Sequence, residues 1–140
     1  MLTDGDGGPL SVVTAAANRH DSLLLQDGLE RVVVEPPCPL RELEQHLCID
    51  KAFDGEPSEA TARVFGYVPH IRRIGEEKLD AAGKKRHPAR RYVVERTIAW
   101  LNRCRAILVR WAKKDENYLA LNKLACALLW YRRLHRLRRN

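Results

Sequence analysis

Residues 90–110, RRYVVERTIAWLNRCRAILVR, carry a single acid, Glu95, among basic and apolar neighbours. At helical spacing Val93, Thr97, Trp100, Cys104, Ile107 and Trp111 fall on one stripe, and Val94, Ile98, Leu101 and Leu108 widen it. A pattern with that period demands a helix pressing a broad face onto a core. A third line, Arg91, Glu95, Ala99, Asn102 and Ala106, leaves a carboxylate beside a guanidinium on an otherwise small or polar face. Alone, that is an ordinary i,i+4 pair on a solvated helix, so the rest of the chain must decide what Glu95 is for.

Charge is the next constraint. The net charge of +7 hides two halves of opposite sign: residues 1–80 hold 8 Lys/Arg and 15 Asp/Glu, and residues 81–140 hold 17 Lys/Arg and 3 Asp/Glu. The basic half contains the Glu95 helix. Such asymmetry points to nucleic acid before an anionic membrane surface, the bland alternative being a generic basic surface. At 140 residues and 45% hydrophobic the chain has the size and apolar content of one domain with a core. Its longest apolar run, residues 124–131, is eight residues, too short for a membrane span. The acidic, glycine-rich N-terminus does not read as a signal peptide. Cys38, Cys48, Cys104 and Cys126 form no C-x-x-C pair and are expected to be small buried hydrophobes in a reducing cytoplasm. No two cysteines or histidines sit at zinc-ligand spacing.

In chain order, the Asp-Gly and Gly-Pro punctuation before the β-prone run 10–14 predicts the end of one strand, a hairpin turn and a second strand. A strand so near the start suggests sequence missing upstream. Leu23, Leu24, Leu25, Leu29, Val32 and Val33 predict a helix over residues 21–33, capped by Asn18 or Asp21. Pro36, Pro37 and Pro39 then forbid regular structure. Leu47, Cys48 and Ile49, ending in Asp50, predict a buried parallel strand reached by a crossover from the first. Polar residues at the carboxyl end of such a strand face the ligand crevice, which singles out Asp50. A helix over residues 58–65 closed by Gly66, a final strand over 67–71 and a charged loop over 75–87 follow. Pro88 opens the Glu95 helix. Asp115 or Asn117 ends it and caps a last helix over residues 118–134, which is expected to bury Leu119, Leu121, Leu124, Ala125, Leu128 and Leu129. Trp100 and Trp111 read as core, Trp130 and Tyr131 as packing of the last helix, and His46 and His70 as packing or hydrogen-bonding groups. Asp54 reads as a turn or helix-cap residue.

Asp50 and Glu95 are the two candidate acids. Hard ions such as magnesium take carboxylate oxygens, and phosphoryl-transfer sites commonly hold two ions about 4 Å apart on shared carboxylates. Two acids cannot neutralise both ions, so at least a third is needed.

ANRHDSLLL, HLCIDKAFDGEP, GYVPHIRRIGEEK and RRYVVERTIAWLNRCRAILVR resemble, in order, consecutive segments of the insertion-sequence-five family of DDE transposases, and HPARRYVVERTIAWL with NYLALNKLACALLWYRR resembles that family's C-terminal signature. The resemblance implies an α/β ribonuclease-H-like domain, here incomplete, with a mixed sheet, flanking helices and two long basic helices at the end. Residues 1–140 would be one partial catalytic domain lacking the N-terminal DNA-binding region and the first strand with its acid. Asp4 and Asp6 match the turn after that strand. Asp50 in DKAF matches the second acid and Glu95 the third, so both are implied as catalytic and metal-binding. Arg91 matches the arginine of the Tyr-Arg-Glu-Lys signature, whereas Pro88 stands at the tyrosine position and Asn102 at the lysine position, with Arg103 next to it.

The implied activity is DNA transposition: phosphodiester hydrolysis and strand transfer at insertion-sequence ends, with two magnesium ions in the complete enzyme or manganese in their place. The isolated chain is expected to be inactive. Arg90, Arg91, Arg96 and Arg103 are expected to hold DNA phosphates along the exposed side of the Glu95 helix. Implied partners are transposon-end and target DNA, the upstream half of a split transposase and a second copy in a homodimer, with no membrane and with a cytoplasmic, nucleoid-associated location. The chain reads either as the second frame of a split transposase or as a decayed copy. The rival class is a non-catalytic basic helical module that grips DNA or a partner protein.

Overall fold

A computed structural model describes residues 1–16, 18–19, 23–34, 44–71 and 91–139, with Lys51 and Arg91 as backbone only. The expected loop over 75–87, Pro88, Arg90, Cys38 and the proline run lie outside the described residues.

The chain opens on a hairpin. Strand β1 (Leu2–Thr3) pairs antiparallel with β2 (Pro9–Ser11), Leu2 opposite Ser11 and Thr3 opposite Pro9. The strand expected over 10–14 therefore begins one residue earlier and ends sooner. Helix α1 (Leu24–Glu30) is shorter than expected at both ends, and its N-cap, Leu23, supplies no side-chain cap. Its C-terminal end is set by the hairpin: the N–H of Val33 donates to the Leu10 carbonyl at 3.1 Å, so the β-branched run Val32–Val34 leaves the helix to meet β2.

Strand β3 (Gln45–Ile49) pairs in parallel with β4 (Tyr67–Ile71), from Gln45 opposite Tyr67 to Ile49 opposite Ile71. Helix α2 (Glu56–Val64) makes the crossover and packs on β4 and α1. The expected crossover from the first strand to β3 differs from this: among the described residues the hairpin and the parallel pair are two separate two-stranded sheets, and β3 finds its neighbour downstream. Pro69 has no N–H to donate, which suits β4 to an edge. One core cluster joins Leu29, Leu47 and Ala62, with Leu2, Leu25, Ile49, Phe65 and Tyr67 around it. Cys48 is exposed, against expectation, because β3 alternates and only its Leu47 face meets the helices.

The single long helix expected from Pro88 to Asp115 or Asn117 is broken. Helix α3 (Arg91–Leu101) gives way to a turn, then to the four-residue α4 (Arg105–Leu108), then to α5 (Asp115–Leu137). The break tightens through the N–H of Arg103 donating to Trp100 O and that of Cys104 to Leu101 O, and Cys104 is extended. The reorientation lets Ile107 join Leu101 and Ala125 in a second core cluster, with Trp100, Cys104, Tyr118 and Cys126 packed against it. The Tyr118 hydroxyl then donates to Ile107 O at 3.1 Å, satisfying a carbonyl at the end of α4. The same break carries Trp111 out of the stripe to 81% exposure and leaves Leu108 exposed.

Helix α5 is longer than the expected 118–134. Its N-cap is Lys114, and Asp115 lies in the first turn, where it complements the helix dipole and pairs with Arg110. It packs through Asn122 and Ala125, which are buried, whereas Leu124 is 67% exposed and Leu128 and Tyr131 are also exposed, contrary to the expected burial of the two leucines. Cys126 is half-buried on the packed side, and burial raises its thiol pKa. Among the described residues no helix is long and apolar enough to cross a membrane.

Candidate functional site

Asp50 follows the last residue of β3 and is half-buried. Its Oδ1 accepts from the N–H of Ala52 at 3.3 Å and its carbonyl accepts from the N–H of Phe53 at 2.9 Å. The carboxylate thus caps the 3-10 turn Lys51–Phe53 that turns the chain from β3 towards α2. Asp54 is exposed in the turn that follows, and the N-cap of α2 is Gly55, so the helix-cap reading of Asp54 does not hold.

Glu95 is exposed on α3. Its direction is fixed by the opposite face, where Val93 and Thr97 are buried. The Thr97 hydroxyl lies 2.8 Å from Gly7 O and 3.1 Å from Val93 O. One residue away, Arg96 Nη2 donates to Asp6 O at 2.8 Å while its guanidinium lies 5.9 Å from the centroid of Tyr92. Helix α3 is therefore pinned to the turn between β1 and β2.

That turn ties α3 and α5 to the hairpin, a role the sequence does not announce. Asp4 Oδ1 accepts from the N–H groups of Asp6 (2.9 Å) and Gly8 (2.6 Å), and the backbone closes it through Asp4 N–H to Gly8 O at 2.8 Å. Gly7 has φ +88° and Gly8 has no room for a side chain: a Cβ there would meet Trp130 and Arg133 at 2.5 Å. From α5, Trp130 Nε1 donates to Pro9 O at 2.8 Å and Arg133 Nη2 to Asp6 O at 3.0 Å, while Arg133 Nη1 lies 3.4 Å from Asp4 Oδ2. The D-G-D-G-G-P string announces a tight turn; nothing in it announces Arg96, Trp130 and Arg133, which lie at least 90 residues away.

His46 and His70 hydrogen-bond to one another across β3 and β4 at 2.7 Å, in keeping with the hydrogen-bonding reading. Arg103 is exposed in the turn after α3. Arg90 lies outside the described residues, and only the backbone of Arg91 is described. The terminal arginines, by contrast, gather: Arg132, His135, Arg136 and Arg139 surround an open depression on the surface at the end of α5.

Residues 1–130 match the family model of the transposase DDE domain. The chain belongs to the transposase DDE domain family. It is 29% identical, over 143 residues, to the putative transposase for insertion sequence element IS402 of Burkholderia cepacia, an alignment covering 97% of this chain and 63% of that protein. The chain thus spans less than two thirds of the length of that relative. No solved structure matches it.

Transposase DDE domains generally use divalent metal ions. The carboxylates of Asp50 and Glu95 are the hard oxygen donors such ions take. Among the described residues, however, no group of three or more His, Cys, Asp or Glu side chains is assembled that could hold an ion. The described residues do not by themselves fit a metal centre, and no chemical step through an ion follows from their arrangement.

Proposed function

We propose that the chain contributes two of the three acids, Asp50 and Glu95, and a DNA-holding basic surface to a DDE transposase that acts at insertion-sequence ends. The observation that carries the reading is the position of Asp50. The residue matching the family's second acid ends a parallel strand, the place where α/β sheets present polar side chains to a ligand. The match to the family across residues 1–130 supports a ribonuclease-H-like plan for the described strands and helices and a transposition function. Magnesium, or manganese in its place, is the ion class suited to these carboxylates once a third acid completes the set.

DNA is the partner that fits the basic half of the chain. Its density of Lys and Arg lies in the same segment as Glu95, so phosphate binding and the third acid share α3. Arg91, one turn before Glu95, and Arg103, in the turn that follows α3, are the phosphate contacts of this reading. The test is fluorescence anisotropy of the purified chain on duplex element ends across a salt series. The log–log slope should be about −0.9 per phosphate contacted. Arg91→Ala and Arg103→Ala should each lower it by roughly one, and Glu95→Gln should bind equally or more tightly because it removes a negative charge. Salt-independent binding, or no binding, would end the DNA reading.

A further inference from the structure

The end of α5 holds a cluster that neither acid explains. Arg132, His135 and Arg136 stand on one face of α5, and Arg139, in the turn just past its last residue, joins them round an open surface depression. No carboxylate is in that lining. Two nearby basic residues are committed elsewhere: Arg133 donates to Asp6 O, and Arg96 donates to the same carbonyl. Arg132 is held in place, its guanidinium 5.3 Å from the Trp100 ring centroid. Stacking occupies the face of that guanidinium and leaves its planar fork of N–H groups available at the edge. Among the described residues the guanidinium groups of Arg136 and Arg139 are in no hydrogen bond or ion pair within the protein.

Complementing the helix dipole is the simplest reason for basic residues at a helix C-terminus, but that effect falls off within the last turn. It does not account for Arg132, more than a turn before Leu137.

We propose that this surface is a second DNA-backbone contact, in which Arg132, Arg136 and Arg139, with an N–H from His135, hold phosphates of the duplex. The proposal rests on the DNA-acting reading above and adds a site to it. The guanidinium fork suits phosphate oxygens bidentately, so each exposed arginine of the cluster can hold one phosphate.

The experiment uses the full chain and a fluorescent duplex across a salt series. Two variants are compared with the parent: the triple Arg132→Gln, Arg136→Gln, Arg139→Gln, and the double Arg136→Gln, Arg139→Gln, which leaves the Arg132–Trp100 stack intact. Circular dichroism establishes that α5 persists. The expected result is binding at least tenfold weaker at about 100 mM salt, with the log–log slope reduced by about two in the double and about three in the triple variant. A double variant that keeps its helix and the parental slope overturns this site while the DNA reading stands on the parent's own binding. A parent that does not bind DNA overturns both. Binding of the parent to phosphatidylglycerol vesicles that the double variant loses, with the DNA slope unchanged, also overturns the proposal and assigns the face to lipid.

Discussion

Thr97 shows how a single side chain orients α3. It is 3% exposed, and its hydroxyl reaches both Gly7 O in the hairpin turn and Val93 O in its own helix. Thr97→Val keeps the shape and removes the hydroxyl, leaving the Gly7 carbonyl without that partner inside the protein. The expected cost is about 1–3 kcal/mol, the range for an orphaned buried acceptor, measured by urea unfolding; a loss below about 0.5 kcal/mol would mean the clamp contributes nothing. The sequence placed Thr97 correctly on the inward stripe by its period but could not name Gly7, since a hydroxyl at a helical core position reads the same whether it bonds its own helix or a distant turn. Asp4 is the converse case. The D-G-D-G-G-P string made it legible as a turn former, and its own backbone bonds bear that out. Its approach to Arg133 across 129 residues had no local signal.

At the scale of elements, legibility followed how local the cause was. Strand β4 was read to the residue because Gly66 before it and the β-prone sequence bound it. Strand β3 was read as parallel, and its partner proved to be β4. The error came at α3, where one amphipathic period runs through residue 111 and the helix does not. Periodicity records which residues are apolar, not whether one straight cylinder can bring them all to one partner. Breaking at residues 102–104 is what places Ile107 beside Leu101 and Ala125. The last helix misled in a related way. Its leucines are spread round the cylinder, and the packed side took Ala125 and Asn122 while Leu124 faced out. These assignments separate in a pair of truncations. Leu101→Ala, at 2% exposure, should lose about 2–5 kcal/mol, whereas Leu124→Ala should stay within about 0.5 kcal/mol. Comparable losses in urea unfolding at both positions would mean that α5 buries its other face.

The molecule as a whole has two core clusters, one around β3, β4, α1 and α2 and one around α3, α4 and α5, with the hairpin turn clamped by Arg96 and Thr97 on one side and Trp130 and Arg133 on the other. Asp50 follows β3, beside the first cluster, and Glu95 is exposed on α3, whose later residues Trp100 and Leu101 enter the second. The division of charge into an acidic first half and a basic second half was legible from composition alone. The strand-end position singles out Asp50 from the sequence, but the pairing of Asp50 with Glu95 as catalytic acids rests on the resemblance, because an exposed Glu on a helix and an Asp capping a turn are ordinary residues in isolation. Asp50 and Glu95 are proposed as two members of a three-acid centre, and the described residues do not complete one. A strand-cleavage assay decides this: the purified chain, parent and Glu95→Gln, is incubated with duplex element ends in magnesium and then in manganese, with anisotropy reporting binding in the same samples. The expected result is salt-dependent binding by both proteins and nicking or joining by neither. Robust metal-dependent nicking by the parent that Glu95→Gln abolishes would contradict it and require a third acid within this chain.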